Sequence, residues 1–188
     1  MLRVVTTQAP WHEYSSYIAR IIFSEGLTNI GDFAFEDCYN LTALDLPHSI
    51  VNIGEGAFQF CPDLKYISNI ASWCDINFGN DSSNPLYRAD SLYIDNVFIQ
   101  ELIIPEGISQ IKDYAFYRCP FITTIIIPNT VTSIGKESFV FCEEVSSLTI
   151  GSGVASIGNN AFRQCDNLNK ITIYAPIPPT GGIGRLSI

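Results

Sequence analysis

Apolar and polar positions along the chain fall into a pattern that returns every 23 residues. Residues 104–127, IPEGISQIKDYAFYRCPFITTIII, are one complete copy. The anchors recur in step: Phe35 with Phe58, then Phe116, Phe139 and Phe162; Cys38 with Cys61, then Cys119, Cys142 and Cys165; Ile30 with Ile53, then Ile111, Ile134 and Ile157. Each copy opens with an L-x-x-L-x-L segment, at residues 18–23, 41–46, 64–69, 99–104, 122–127, 145–150 and 168–173. The last four residues of that segment alternate apolar and polar, the period of a half-buried strand. Leu44 and Leu46, Ile125 and Ile127, and Ile171 and Ile173 are predicted to face inward. Pro47, Pro105 and Pro128 close the strand, because proline cannot continue a ladder.

A second apolar pair follows (Leu27/Ile30, Ile50/Ile53, Ile108/Ile111, Val131/Ile134, Val154/Ile157) and predicts a short strand on the opposite side of a coil. Gly31, Gly54, Gly135 and Gly158 then turn the chain back, with positive φ expected; Lys112 holds that position in one copy. Next comes a small residue before a large ring, as in Ala34-Phe35, Ala57-Phe58, Ala115-Phe116, Ser138-Phe139 and Ala161-Phe162. The small residue permits close approach and the ring fills the core. A period in the range of roughly 20–50 residues marks a solenoid, in which each coil buries its apolar side only against its neighbours.

The period breaks once. Phe58 to Phe116 spans 58 residues, two periods plus 12, and the extra residues fall in an insertion at about 70–92. That insertion carries Trp73, Phe78 and Tyr87 around a polar, turn-forming run at 81–85. Insertions in repeat proteins often lie on a binding face; the plainer expectation is that these rings fold back and hold the loop down. Residues 1–17 precede the first repeat and hold Trp11, Tyr14 and Tyr17, read as a cap over the open first coil, or else as an aromatic ligand platform. Residues 18–175 form the solenoid, and the Pro- and Gly-rich residues 176–188 form a tail or linker.

Of 188 residues, 47% are hydrophobic and 15% charged, the balance of an ordered globular chain. Net charge is −9, and the basic residues, among them Arg3, Lys65, Arg88, Lys112, Lys136 and Lys170, form no run. Nucleic-acid binding needs a positive face to displace counterions and is not expected. An anionic membrane surface is disfavoured on the same ground. No apolar run reaches the ~20 residues of a membrane span, so no membrane insertion is expected. The N-terminus lacks the apolar core of about 7–15 residues that an export signal carries. Two readings follow, a cytosolic protein or a segment of a longer, exported protein, and the second is the expectation because the repeat is already running by Ile18.

The strings GLTNIGDFAFEDCYNLTALDLP and TVTSIGKESFVFCEEVSSLTI resemble the BspA-like leucine-rich repeats over residues 18–173. The insertion, with its W-C-x-I-x-F and N-P-L-Y runs, resembles an irregular repeat of such arrays. The resemblance implies a leucine-rich-repeat solenoid: a right-handed, mostly β coil with parallel sheet, about seven turns and one insertion. It also implies cell-surface or secreted localisation, work in adhesion or host-protein recognition, and no catalytic residues.

Six cysteines in an exported chain would ordinarily suggest disulfides. Five of them share one repeat position, a column that Asn96 and Ser15 extend. Stacked positions lie ~4.8 Å apart, whereas a disulfide wants Cβ atoms ~3.8 Å apart, so buried free thiols are expected. Cys74 lies off the column and is the one candidate for a reactive thiol. His12 and His48 have no metal-ligand spacing, so no metal or cofactor is expected. Asn40 and Asn80 match the glycosylation acceptor pattern.

The outward face of the main strands is the candidate partner surface. One row is Arg20, Ala43, Tyr66, Glu101, Thr124, Ser147 and Lys170; the other is Ile22, Asp45, Ser68, Ile103, Ile126, Thr149 and Thr172. Ile22, Ile103 and Ile126 are apolar where a solvated face would be polar, with Ile103 and Ile126 expected side by side. β-Branched residues also favour strands for their own sake. The candidate partner-binding set is Arg20, Ile22, Asp45, Tyr66, Ser68, Trp73, Tyr87, Glu101, Ile103, Thr124, Ile126, Thr149, Lys170 and Thr172. The expected function is a non-catalytic module binding a host matrix or surface protein; the alternative is a structural spacer with no binding of its own.

Overall fold

The computed structural model describes residues 9–64, 66–67, 70–88, 91–94, 97–177 and 179–181. Ser68, Asn96, Pro178, Gly182 and Gly184 lie outside the described residues. The fold is a β-solenoid of about six turns with little helix. Seven main strands bound those turns: Arg20–Ile22, Ala43–Asp45, Tyr66–Ile67, Glu101–Ile103, Thr124–Ile127, Ser147–Ile150 and Lys170–Ile173. Seven short strands run opposite them: Asn29–Ile30, Asn52–Ile53, Asn77–Phe78, Gln110–Ile111, Ser133–Ile134, Ser156–Ile157 and Thr180–Gly181.

Pairing from coil to coil is parallel, but neither sheet is continuous. The short strands form one sheet of three up to Phe78 and another of four from Gln110. The main strands from Glu101 to Ile173 form a four-stranded sheet, whereas among the described residues Arg20–Ile22 pairs only with Ala43–Asp45. Tyr66–Ile67 pairs with Tyr93–Ile94, which pairs antiparallel with Val97–Phe98. Phe78 is no insertion aromatic: it pairs in register with Ile53 and is buried as the core residue of its coil.

A third line of bonds follows the corner after the short strand. The N–H groups of Phe33, Phe35 and Asp37 donate to the carbonyls of Glu55, Ala57 and Gln59 at 2.9, 2.8 and 3.0 Å. Tyr114, Phe116 and Arg118 repeat the pattern onto Lys136, Ser138 and Val140, as do Glu137, Phe139 and Phe141 onto Asn159, Ala161 and Arg163. Positive φ belongs to this corner, at Phe33, Phe60, Tyr114 and Phe141 among others. Each such non-glycine residue costs about 1–2 kcal/mol. The inter-coil bonds offset that cost, at about 0.5–1.5 kcal/mol each, together with the burial of the Phe column. Neighbouring rings of that column stack face to face, Phe139 on Phe162 at 5.2 Å and Phe116 on Phe139 at 5.4 Å.

The glycines expected to take positive φ do not; among the described glycines only Gly26, Gly56 and Gly107 do. Gly54, Gly135 and Gly158 are required by close approach, since a Cβ on any of them would overlap backbone of the preceding coil. Gly31 meets nothing within 4 Å among the described residues, where a 3-10 helix and not a repeat coil stands ahead of it. Lys112 follows the insertion instead of a regular coil, and this position there tolerates a side chain.

The core is one cluster along the axis, lined by Leu44, Leu64, Leu102, Ile125 and Leu148. Ile171 and Ile173 depart from the inward pattern at 39% and 40% exposed, because the last main strand has no partner on its far side among the described residues. Ahead of the first coil, His12–Tyr17 forms a 3-10 helix, and the Trp11 ring stacks on Phe35 at 5.1 Å. Among the described residues no helix is long and apolar enough to cross a membrane.

Candidate functional site

The sheet from Glu101 to Ile173 is built of strands three or four residues long, so each shows two outward side chains. In-register pairing aligns them into two rows. Glu101, Thr124, Ser147 and Lys170 form one; Ile103, Ile126, Thr149 and Thr172 form the other. Ile103 lies directly beside Ile126 and is 52% exposed, while Ile126 is half-buried. The apolar pair is contiguous, and contiguity is what distinguishes a contact surface from a lone exposed side chain. Ile126 and Thr149 also line a shallow surface groove with Glu106, Pro128, Asn129 and Tyr174. Glu101 and Lys170 stand at opposite ends of the polar row with no ion-pair partner among the described residues.

The expected rows do not run the length of the molecule. Arg20, Ile22 and Asp45 lie on the separate first sheet. Arg20 Nη2 is 2.6 Å from Asp45 Oδ2, and Nε adds a second bond at 3.1 Å, so the two satisfy each other across neighbouring strands. Exposed pairs of this kind are worth about 0.2–1 kcal/mol. Ile22 is exposed but isolated from Ile103. Tyr66 pairs with Tyr93, not with Glu101. Between the two sheets lies the antiparallel strand Val97–Phe98, both residues exposed, with Phe98 against Tyr93 and Phe121 at 5.5 and 6.0 Å. The sequence signal for this strand was an apolar pair that fits no repeat position.

Two members of the candidate set serve packing. Trp73 is 1% exposed and cannot meet a partner; it sits at the end of the helix Ile70–Cys74, and its indole N–H donates to Ala115 O. Tyr87 is half-buried and stacks on Tyr117 at 5.8 Å. Sequence reasoning also missed Asn84, a buried amide whose Nδ2 donates to Tyr114 O and Ala115 O at 2.6 and 3.0 Å. Asn80 is committed to its own turn, its Oδ1 accepting from Ser83 N and Ser83 Oγ at 2.9 and 2.8 Å. Asn40 donates its Nδ2 to Ser16 O. Neither glycosylation acceptor amide is idle.

The six thiols are free and buried. Cys74 is not the reactive exception: it is fully buried, and that burial pushes its pKa up. His48 Nδ1 lies 2.8 Å from Ser72 Oγ in a surface groove with Asp75 and Lys112. Among the described residues no group of His, Cys, Asp and Glu could hold a metal ion.

A profile for the "BspA type Leucine rich repeat region" matches residues 12–79 and 90–179 in 6 copies, the gap between the two spans falling inside the insertion. No curated protein matches the sequence. Among solved structures, a leucine-rich repeat protein from Bacteroides ovatus is similar at 24% identity and TM-score 0.57, over 83% of this chain and 37% of that one. The T. pallidum leucine rich repeat protein is similar at 23% identity and TM-score 0.41, over 82% of this chain and 58% of that one. A leucine rich cell surface protein from Faecalibacterium prausnitzii follows at 20% and 0.39, over 83% and 60%. The chain thus spans less than two thirds of each of these relatives, and the likeness to the Bacteroides ovatus protein is one of fold.

Proposed function

The chain belongs to the BspA-type leucine-rich-repeat family, a class of protein-interaction repeat module, and from that premise we propose a non-catalytic adhesion or host-recognition module of a surface or secreted protein. The contact surface in this reading is the outward face of the four-stranded sheet. What carries the reading is the register of Ile103 against Ile126, an apolar pair continued by Thr149 and Thr172 and opening into the groove by Tyr174. Interfaces of modest size are anchored by such central apolar contacts within a polar rim. Glu101, Thr124, Ser147 and Lys170 supply one side of that rim.

The test is binding of the purified chain to immobilised host matrix and surface proteins by biolayer interferometry. Saturable binding to at least one of them is expected. Absence of binding across the whole set contradicts the module reading and leaves a structural spacer.

A further inference from the structure

The ladder of short strands stops at Phe78 and resumes at Gln110. At this break the helix Ile70–Cys74 is tied to the coils on both sides. His48 Nδ1 lies 2.8 Å from Ser72 Oγ, and Lys112 N donates to Cys74 O at 3.0 Å. A groove of about 500 Å³ is left there, with Val51, Ala71 and Ile108 as apolar walls and Asp75, Asn77, Gln110 and Lys112 as polar lining. Small-molecule clefts span about 300–1,000 Å³ and combine apolar walls with a few polar groups in this way. No other copy of the repeat has this set. Lys112 stands where other copies have Gly31, Gly54, Gly135 and Gly158, and Asp75 belongs to the insertion.

The polar groups are of two kinds. Asn77 ends a directional amide ladder: its Nδ2 donates to Asn52 Oδ1 at 3.0 Å and to Val51 O at 3.3 Å, and Asn52 Nδ2 donates to Asn29 Oδ1 at 2.6 Å. Both Asn77 amide hydrogens are spent, which leaves its Oδ1 as an acceptor beside the Asp75 carboxylate. Lys112 and Gln110 supply an ammonium group and an amide donor. The side chains of Asp75, Gln110 and Lys112 make no hydrogen bond or ion pair among the described residues. Opposite charges therefore line one groove without satisfying each other, unlike Arg20 and Asp45.

We propose that this groove is a binding site, independent of the sheet face, for a free amino acid with an aliphatic side chain. Asp75 and Asn77 Oδ1 take its ammonium group, and Lys112 and Gln110 take its carboxylate, through charge-assisted hydrogen bonds. Its side chain covers Val51, which is 45% exposed, and Ile108. A sugar acid carries the negative charge alone and leaves Asp75 facing no cation, a mismatch that selects against it.

The experiment titrates the isotope-labelled chain with leucine, N-acetyl-leucine, leucinamide and glucuronate, following shifts by NMR. Leucine is expected to give saturable shifts at Asp75, Asn77, Gln110 and Lys112. N-acetyl-leucine and leucinamide each lack one charge and are expected to bind at least about tenfold more weakly. Lys112→Gln is expected to lower leucine affinity to that of leucinamide while leaving leucinamide binding unchanged. Asp75→Asn is expected to do the same with respect to N-acetyl-leucine. In both variants the rest of the spectrum is expected to stay as in the parent. Absence of saturable shifts with leucine, equal affinity for the three leucine compounds, or parent-like leucine affinity in both variants overturns the proposal. Tighter binding of glucuronate in the same groove overturns the amino-acid assignment in favour of a sugar acid.

Discussion

The indole N–H of Trp73 donates to the carbonyl of Ala115 at 2.5 Å, as that of Trp11 donates to Ala34 at 2.7 Å. Ala34 and Ala115 occupy the same repeat position, and each begins a run of regular coils. In the later coils of each run this carbonyl accepts a backbone N–H from the coil before: Ala57 from Phe35, Ser138 from Phe116 and Ala161 from Phe139. Where no regular coil precedes, a tryptophan supplies the donor. The insertion is therefore an internal starting piece for the second run.

Trp73→Phe keeps the ring and removes the donor. The expected loss is about 1–3 kcal/mol, the cost of a buried acceptor losing a partner; Asn84 Nδ2, which also reaches Ala115 O, moderates it. Trp11 is partly exposed, so Trp11→Phe is expected to cost less. Denaturant melts of the two variants compare them directly; a larger loss at Trp11 contradicts the account.

Glycines at one repeat position are expected to differ by their neighbours. Gly158→Ala forces a methyl into backbone of the preceding coil at Lys136, and overpacking of this kind costs about 1–3 kcal/mol. Gly31→Ala enters open space and is expected to be neutral, or stabilising by about 0.4–1 kcal/mol through the unfolded chain. Thermal melts of both variants settle whether close approach, not φ, is the constraint.

Tyr117 is buried, and that burial, ahead of the nearby Asp81, pushes its pKa up to about 12. A raised phenol pKa means the folded chain holds the neutral form. Its contribution to stability is intact below the unfolded value of about 10 and is lost as pH rises through about 12. Ultraviolet titration is expected to show a late-ionising component that is lost in Tyr117→Phe, while Tyr39, held up by its hydrogen bond to Asp37, remains. The melting temperature of this variant is expected to fall less steeply above pH 10 than that of the parent.

Thiol chemistry gives another reading of the core. Burial raises the pKa of Cys74 and of Cys165, and thiolate is the reactive form; the Cys61 thiol lowers the pKa of Cys38, but Cys38 is closed to solvent and to the reagent. The folded protein is expected to react with a colorimetric disulfide reagent at none of its cysteines within minutes, and at all six after guanidinium unfolding. A fast-reacting thiol in the folded state contradicts the buried column.

The main strands, the short strands and the Phe column were legible in the sequence because strand alternation and a fixed period depend on side-chain polarity alone. The pairing of Ile103 with Ile126 followed from the same period. The corner was not legible: positive φ at Phe60 and Tyr114 runs against residue preference and is imposed by bonds between coils. Trp73 was placed on the candidate surface because sequence cannot tell a ring on a loop from a ring whose N–H closes a ladder. The break between the sheets went unseen because the antiparallel pairing of Tyr93–Ile94 with Val97–Phe98 belongs to no repeat position.

The central claim is that the sheet face around Ile103 and Ile126 makes the contact. The most direct measurement is the affinity of Ile103→Glu/Ile126→Glu for a partner bound by the parent chain, beside Ser133→Glu/Ser156→Glu on the opposite sheet, with circular dichroism confirming that both remain folded. The account predicts a loss of at least about tenfold, ~1.4 kcal/mol, for the first pair and parent-like affinity for the second. Parent-like affinity for the first pair, or an equal loss for both, contradicts it.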